Sequence, residues 1–278
     1  MPAKFVVVPQ WQGSSSSRSM RLIDGAEAIR GDLPAAATTV VEVPLGAGDA
    51  VDTGVHRFSS VAVVRERIRF ALNAMTDGDV PVVIGGDCGV ELGAIEHALA
   101  TSPNLAVVWF DAHADLNTPD SSPSGAFHGM VARAVLGEAP EGLAASPALA
   151  AERLVLAGTR AFDEAEEALV GGSPIRHLPV DRIGEVADAV AASGADAVYV
   201  HVDLDVLDPG ELACVDFPEP FGVTTADLAA SIRALTERFP LVGAGITEFA
   251  PPSVDEGRED LPAILRILSA ITASTRIR

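Results

Sequence analysis

VVIGGDCGVELG, residues Val82–Gly93, passes from an apolar run into two glycines, an aspartate and a cysteine before helix-forming residues resume. A buried strand that ends at a tight turn ahead of a helix reads this way, and open α/β sheets place their sites at such ends. Working outward from this strand, Val82–Ile84, seven more β-rich runs appear. They are Phe5–Val8, Thr39–Val43, Leu105–Phe110, Leu154–Ala157, Ile175–Leu178, Ala197–Asp203 and Val242–Thr247. Between most of them the apolar spacing is helical, most clearly in Val61–Met75 and in Thr225–Leu235, which Thr224 and Thr225 can cap. Strands apolar along their whole length, alternating with helices, predict a parallel sheet covered on both faces. QGSSSSRS (Gln12–Ser19) and GEAPEGLAASPALAAE (Gly137–Glu152) read as surface loop or weak helix rather than linkers, so residues 1–278 are expected to form one domain.

The chain has 278 residues, 48% of them hydrophobic, enough to bury a large core without disulfides. Its 19 basic and 39 acidic residues give a net charge of −20, which argues against nucleic acid or an anionic membrane as partner. Most of that excess is expected to be solvated surface. Two cysteines, Cys88 and Cys214, are too few for a secreted disulfide framework. MPAKFVVVPQ reads as a first strand rather than a signal peptide, and no apolar run approaches the roughly 18 residues of a membrane span. A cytoplasmic protein is expected.

The strand Leu105–Phe110 runs into DAHADLNTPDSSPSGAFHGM, where Asp111, His113 and Asp115 alternate and share one side of an extended chain. A second strand ends alike, in HVDLDVLDPG, with Asp203 and Asp205 on one face. Carboxylates behind apolar strands need pairing or a metal. Oxygen and imidazole donors suit a divalent cation such as Mn²⁺, and the number of carboxylates suggests two close together; one Mg²⁺ or Ca²⁺ fits these residues as well.

DAHADLNTP, then SGAFHGM, HVDLDVLDP and GITEFAPP, resemble in order the motifs of the ureohydrolases, the arginases, agmatinases and their relatives. The resemblance spans nearly the whole chain. It implies a three-layer α/β/α domain with an eight-stranded parallel sheet and a pair of Mn²⁺ ions. A metal-activated water would attack the planar carbon of a small guanidino or amidino substrate, releasing an amine and usually urea. By position it implies Asp111 and Asp203 as bridging carboxylates, Asp115 on one metal, and His113 and Asp205 on the other. His128 matches a proton-shuttle histidine and Glu248 the partner of the guanidinium. Asn117, Ser124 and Asp163 match residues holding the far end of an amino-acid substrate, although Asn and Ser are also ordinary turn formers there. A homo-oligomer, trimer or hexamer, is implied too.

This chain departs from that family in four places. The usual GGDH turn carries Cys88 where a ligating histidine stands. His201, two residues before Asp203, replaces a small or hydroxylated residue and faces the same side as Asp203 and Asp205. A swap is expected, His201 supplying the nitrogen and Cys88 the room, with Cys88 itself as ligand, or neither, left open. Ala126 replaces a polar residue, and CVDFPEP (Cys214–Pro220) replaces the loop that walls the guanidinium pocket, which makes arginine a weak choice of substrate. Two other readings stand beside the hydrolase. One is a metal-poor, inactive relative that binds or regulates. The other is a zinc amidohydrolase of similar fold, which would need a tyrosine at its site, where the sole tyrosine is Tyr199, inside a strand.

Overall fold

Eight strands, all paired in parallel, form one sheet in the order β2-β1-β3-β8-β7-β4-β5-β6. The computed structural model describes residues 2–76 and 78–273. The strands are β1 (Ala3–Val8), β2 (Thr38–Val40), β3 (Val80–Gly85), β4 (Leu105–Phe110), β5 (Leu154–Ala157), β6 (Arg176–Leu178), β7 (Ala197–Asp203) and β8 (Leu241–Thr247). All eight runs anticipated from sequence are strands; Leu105–Phe110, Leu154–Ala157 and Ala197–Asp203 keep their bounds and the other five have shifted ends. The second stops at Val40 rather than Val43, because only Thr38–Val40 stay in register with Phe5–Val7.

Among the described residues eight α-helices follow in chain order: α1 (Arg21–Arg30), α2 (Phe58–Asn73), α3 (Glu91–Thr101), α4 (Val131–Val135), α5 (Glu164–Gly172), α6 (Val186–Ala192), α7 (Thr225–Arg238) and α8 (Leu261–Ala273). Alternate residues of each central strand feed two cores. Val82, Ile84, Val198, Val200 and Val202 pack toward α1, α6, α7 and α8. Val83, Val107, Trp109 and Tyr199 pack toward α2, α3 and α4. The sheet is therefore the middle layer of three. Thr224 caps α7 by accepting from the amide of Asp227 at 3.1 Å, as anticipated.

Two segments expected to be surface loop are held in place instead. Gln12, Gly13 and Ser14 are buried, and the amide of Gly13 donates to Asp87. In the second, Leu143, Ala145 and Leu149 are buried, and Arg65 donates to the carbonyls of Gly142 (2.5 Å) and Ala144 (3.3 Å) while pairing with Glu96. Low-complexity composition hid these contacts because their partners lie 74 to 79 positions away.

Candidate metal centre

The four central strands, β3, β8, β7 and β4, end side by side, and their C-terminal ends carry the chemistry. Asp111, Ala112 and His113 follow β4; Asp203 closes β7; Glu248 follows β8; and Cys88 follows the turn after β3. Asp203 folds its turn by accepting from the amide of Asp205 at 2.8 Å, and Asp111 likewise accepts from the amide of His113 at 2.6 Å. Ala112 donates its amide to Asp205 at 3.1 Å, locking the two strand ends together. Asp115 and Glu248 both hold positive φ, 53° and 66°. Non-glycine residues adopt that conformation at a cost, and such positions cluster at functional sites.

Three groups of side chains converge closely enough to share an ion, each with donor atoms within 4.8 Å of one another: Asp111, His113 and Asp205; Cys88, Asp111 and His201; and Cys88, Asp203 and Glu248. In the outer group His113 Nδ1 lies 2.9 Å from Asp205 and 3.6 Å from Asp111. In the inner groups Cys88 Sγ lies 3.0 Å from Asp203 Oδ2, 3.2 Å from Thr247 Oγ1 and 3.8 Å from His201 Nε2. Asp111 therefore belongs to both halves of the pocket. Cys88 and Cys214 are both free thiols.

Electrostatics show why a cation fits. Burial, and then the neighbouring carboxylates, pushes Asp115, Asp203 and Glu248 well above the usual carboxylate range. Burial also opposes ionisation of Asp111, yet hydrogen bonds and charge from His113 and His201 hold it below that range. Burial disfavours the imidazolium of His113, but Asp205 and Asp111 outweigh it and push His113 up to about 12. Two histidines thus face Asp111, Asp115, Asp203, Asp205 and Glu248, all buried. One oxygen each of Asp115 and Glu248 has no hydrogen-bond partner. Divalent cations would supply the missing positive charge, and the carboxylate and imidazole donors are of the right kind for them.

Around this centre, His128 Nδ1 lies 4.0 Å from Glu248 Oε1 and its Nε2 lies 3.1 Å from Ser15 Oγ. Burial and the nearby charge of His113 lower His128 to about 4, so its ring is neutral at physiological pH. Phe217 stands 5.1 Å from the His128 ring and 6.5 Å from that of His113. The loop that carries it is tied to the metal strands by Arg160, which donates to the carbonyls of Asp205 and Glu219, both at 2.9 Å. Asn117 and Asp163 meet directly at 2.7 Å, and Asp163 also caps α5 through a reciprocal capping box with Glu166. Ser124 is engaged elsewhere, its Oγ accepting from the amide of Ala126 at 3.2 Å.

Sequence reasoning assigned nothing to Gln10, Gly13, Ser15, Asp87, Glu91 or Arg160. Asp87 accepts from Gln10 at 2.8 Å, Gly13 at 2.8 Å and Gly89 at 2.9 Å, joining the Cys88 turn to the segment that presents Ser15 to His128. Asp87 in the quoted GGDC turn was the one usable signal, since a carboxylate at a buried strand end needs partners.

A model of the arginase family matches residues 7–272, and the chain belongs to that family. Arginase of Bacillus caldovelox is 28% identical over 276 residues, covering 93% of this chain and 91% of that one. The fold is also that of Entamoeba histolytica arginase, solved in complex with L-ornithine, with a TM-score of 0.86 at 23% identity over 97% of this chain and 98% of that one. A formimidoylglutamase of Bacillus subtilis shares the fold too, with a TM-score of 0.76 at 20% identity over 99% of this chain and 87% of that one. Among the described residues no helix is long and apolar enough to cross a membrane.

Proposed function

We propose that the chain is a ureohydrolase that uses two divalent cations, Mn²⁺ in the first instance, to cleave a C–N bond of a small guanidino or amidino compound. The observation that carries this reading is the crowd of buried carboxylates at the ends of β4, β7 and β8, too many for the two histidines among them. Asp111 and Asp203 would be shared between the cations; His113 and Asp205 would complete one position, Asp115 and His201 the other. Bound there, the cations would make a water nucleophilic near neutral pH and polarise the substrate.

The protein's own groups do the rest. Glu248, facing the pocket with an unpartnered oxygen, accepts from the guanidinium N–H groups and fixes the planar carbon against the centre. His128 is neutral, so its Nδ1, the atom on the Glu248 side, can take a proton and return it to the leaving nitrogen. Ser15 holds the ring from Nε2. Phe217 covers both histidines and keeps bulk water from the reacting carbon. Asn117, Asp163 and Ser124 receive the substrate's far end. Because Asn117 and Asp163 bond each other, a ligand there must displace or share that contact. Ala126 and the Phe217 loop favour a substrate other than arginine. We place the protein in the cytoplasm, in keeping with its two free thiols, and expect a trimer or hexamer, which sedimentation would test.

The test is a screen of the Mn²⁺-loaded protein for urea, amine or formamide release from arginine, agmatine, guanidino acids and an N-formimidoyl amino acid. Hydrolysis of at least one, abolished by a chelator and by Glu248→Gln, is expected. Full cation loading with no hydrolysis of any would favour a relative that binds without turnover.

A further inference from the structure

The inner half of the pocket rests on a buried supporting network of its own. His201 directs Nε2 toward Cys88 Sγ (3.8 Å) and Asp111 Oδ2 (3.9 Å), and Nδ1 toward Glu91 Oε2 (3.5 Å). Trp109 stacks on the imidazole with ring centres 3.6 Å apart, and its Nε1 donates to Asp111 Oδ2 at 2.9 Å. Glu91 opens α3, is fully buried, and accepts from Tyr199 Oη at 2.9 Å. Strand β8 is shaped around this pair. A Cβ at Gly245 would overlap the Glu91 carboxylate, and one at Gly243 would come within 2.8 Å of the Tyr199 ring.

His201 Nδ1 makes no hydrogen bond in this geometry, and the Glu91 carboxylate 3.5 Å away is the acceptor within reach of its N–H. With the proton on Nδ1, the Nε2 lone pair would face Cys88 and Asp111, the arrangement that orients histidine ligands on metals. The spacing agrees. Sulfur at about 2.3 Å and nitrogen at about 2.0–2.1 Å on one tetrahedral ion lie roughly 3.6 Å apart; Cys88 and His201 are 3.8 Å apart. Independently, buried oxygens of Asp115 and Glu248 have no partner.

We propose that Cys88, His201 and Asp111 form a mixed sulfur, nitrogen and oxygen metal site, with Glu91 as the positioning residue behind His201, that selects a borderline cation of the zinc(II) or cobalt(II) kind over Mn²⁺. The outer set of Asp111, His113 and Asp205, free of sulfur, lacks that added preference for zinc, so with Mn²⁺ in large excess the loaded centre is heterometallic. Thiolate and imidazole donors suit zinc and cobalt, whereas carboxylate-rich sets suit manganese. The Cys88 S–H bond breaks as the metal–sulfur bond forms, and the proton leaves to the buffer. This inference rests on the reading that cations occupy the pocket, and it is read out without hydrolysis.

Chelator-stripped protein is titrated with Co²⁺ and its near-ultraviolet spectrum recorded, and a parallel sample is equilibrated with one equivalent of Zn²⁺ per chain and a large excess of Mn²⁺ and its metal content measured. A thiolate-to-cobalt charge-transfer band, lost in Cys88→Ser, is expected, with about one zinc and one manganese per chain. Glu91→Gln should keep the band at saturation while weakening zinc binding by about 10–100-fold. Saturated wild-type protein without the band, or two manganese ions retained in preference to zinc, would overturn the proposal whether or not the variants fold. The band without hydrolysis of any guanidino compound would uphold the sulfur site and remove the ureohydrolase reading. Hydrolysis with two manganese ions and no band would do the reverse.

Discussion

Stripping divalent cations from the protein and raising the pH from 5 to 6.5 should lower its thermal stability, by an amount that follows from the site. Asp115, Asp203 and Glu248 are raised, by burial first and by neighbouring carboxylates second. For each, the folded chain keeps a proton that the unfolded chain has lost, so its stabilisation is full below about pH 4 and declines as pH rises. Asp87, pushed up to about 6 chiefly by burial, adds to the decline until that pH is passed. Asp111, held low, completes its opposite contribution below this window. His128, lowered to about 4, gains as pH rises toward the ordinary histidine value near 6.5. Asp205 is raised too, by burial first, so four protons held by the site carboxyls less one for His128 leave three, at most about 4.1 kcal/mol per pH unit. In a chain of this size that is at most about 8–16 °C in Tm per pH unit. Asp203→Asn removes one of those protons and should lower the slope by about a third, to about 2.7 kcal/mol per pH unit. Saturating Mn²⁺ should flatten it in the wild type, because the cation competes with the protons. Circular dichroism melts of chelator-treated protein at four pH values, at constant ionic strength, measure it. A Tm that rises with pH over this window, or an unchanged slope in Asp203→Asn, would refute the reasoning.

Arg160→Ala should release the Phe217 loop from the end of β7, raising KM more than it lowers kcat and leaving metal content unchanged; loss of metal would mean that Arg160 instead holds the Asp205 turn. Arg65→Met leaves the buried Glu96 carboxylate unpaired and should cost about 3–5 kcal/mol in denaturant unfolding, with metal content at saturation preserved. A loss under 1 kcal/mol would show that Glu96 finds other donors.

Much of this architecture is legible in the sequence because parallel strands buried on both faces have no polar alternation to blur them. Asp111 and His113 end beside each other and beside Asp205, but the extended alternation stops there: Asp115 turns at positive φ, and Asp205 sits in a 3-10 turn that Asp203 caps. What stays hidden depends on distant partners. Gln12–Ser19 looks like a solvated serine loop, yet Gly13 and Ser15 are fixed by Asp87 and His128, 74 and 113 positions away. Glu91 reads as an ordinary residue in the first turn of a helix, and only the close approach of β7 and β8 shows it beneath His201. Arg160 gives no local signal, since its partners are backbone carbonyls on a loop about 60 residues on.

Metal content per chain, measured by elemental analysis after loading the stripped protein with divalent cations, tests the central claim most directly. Two ions per chain in the wild type, and none retained in Asp111→Asn, the carboxylate common to both halves of the pocket, is the result expected. Fewer than one ion per chain in the wild type, or full retention in Asp111→Asn, would contradict it.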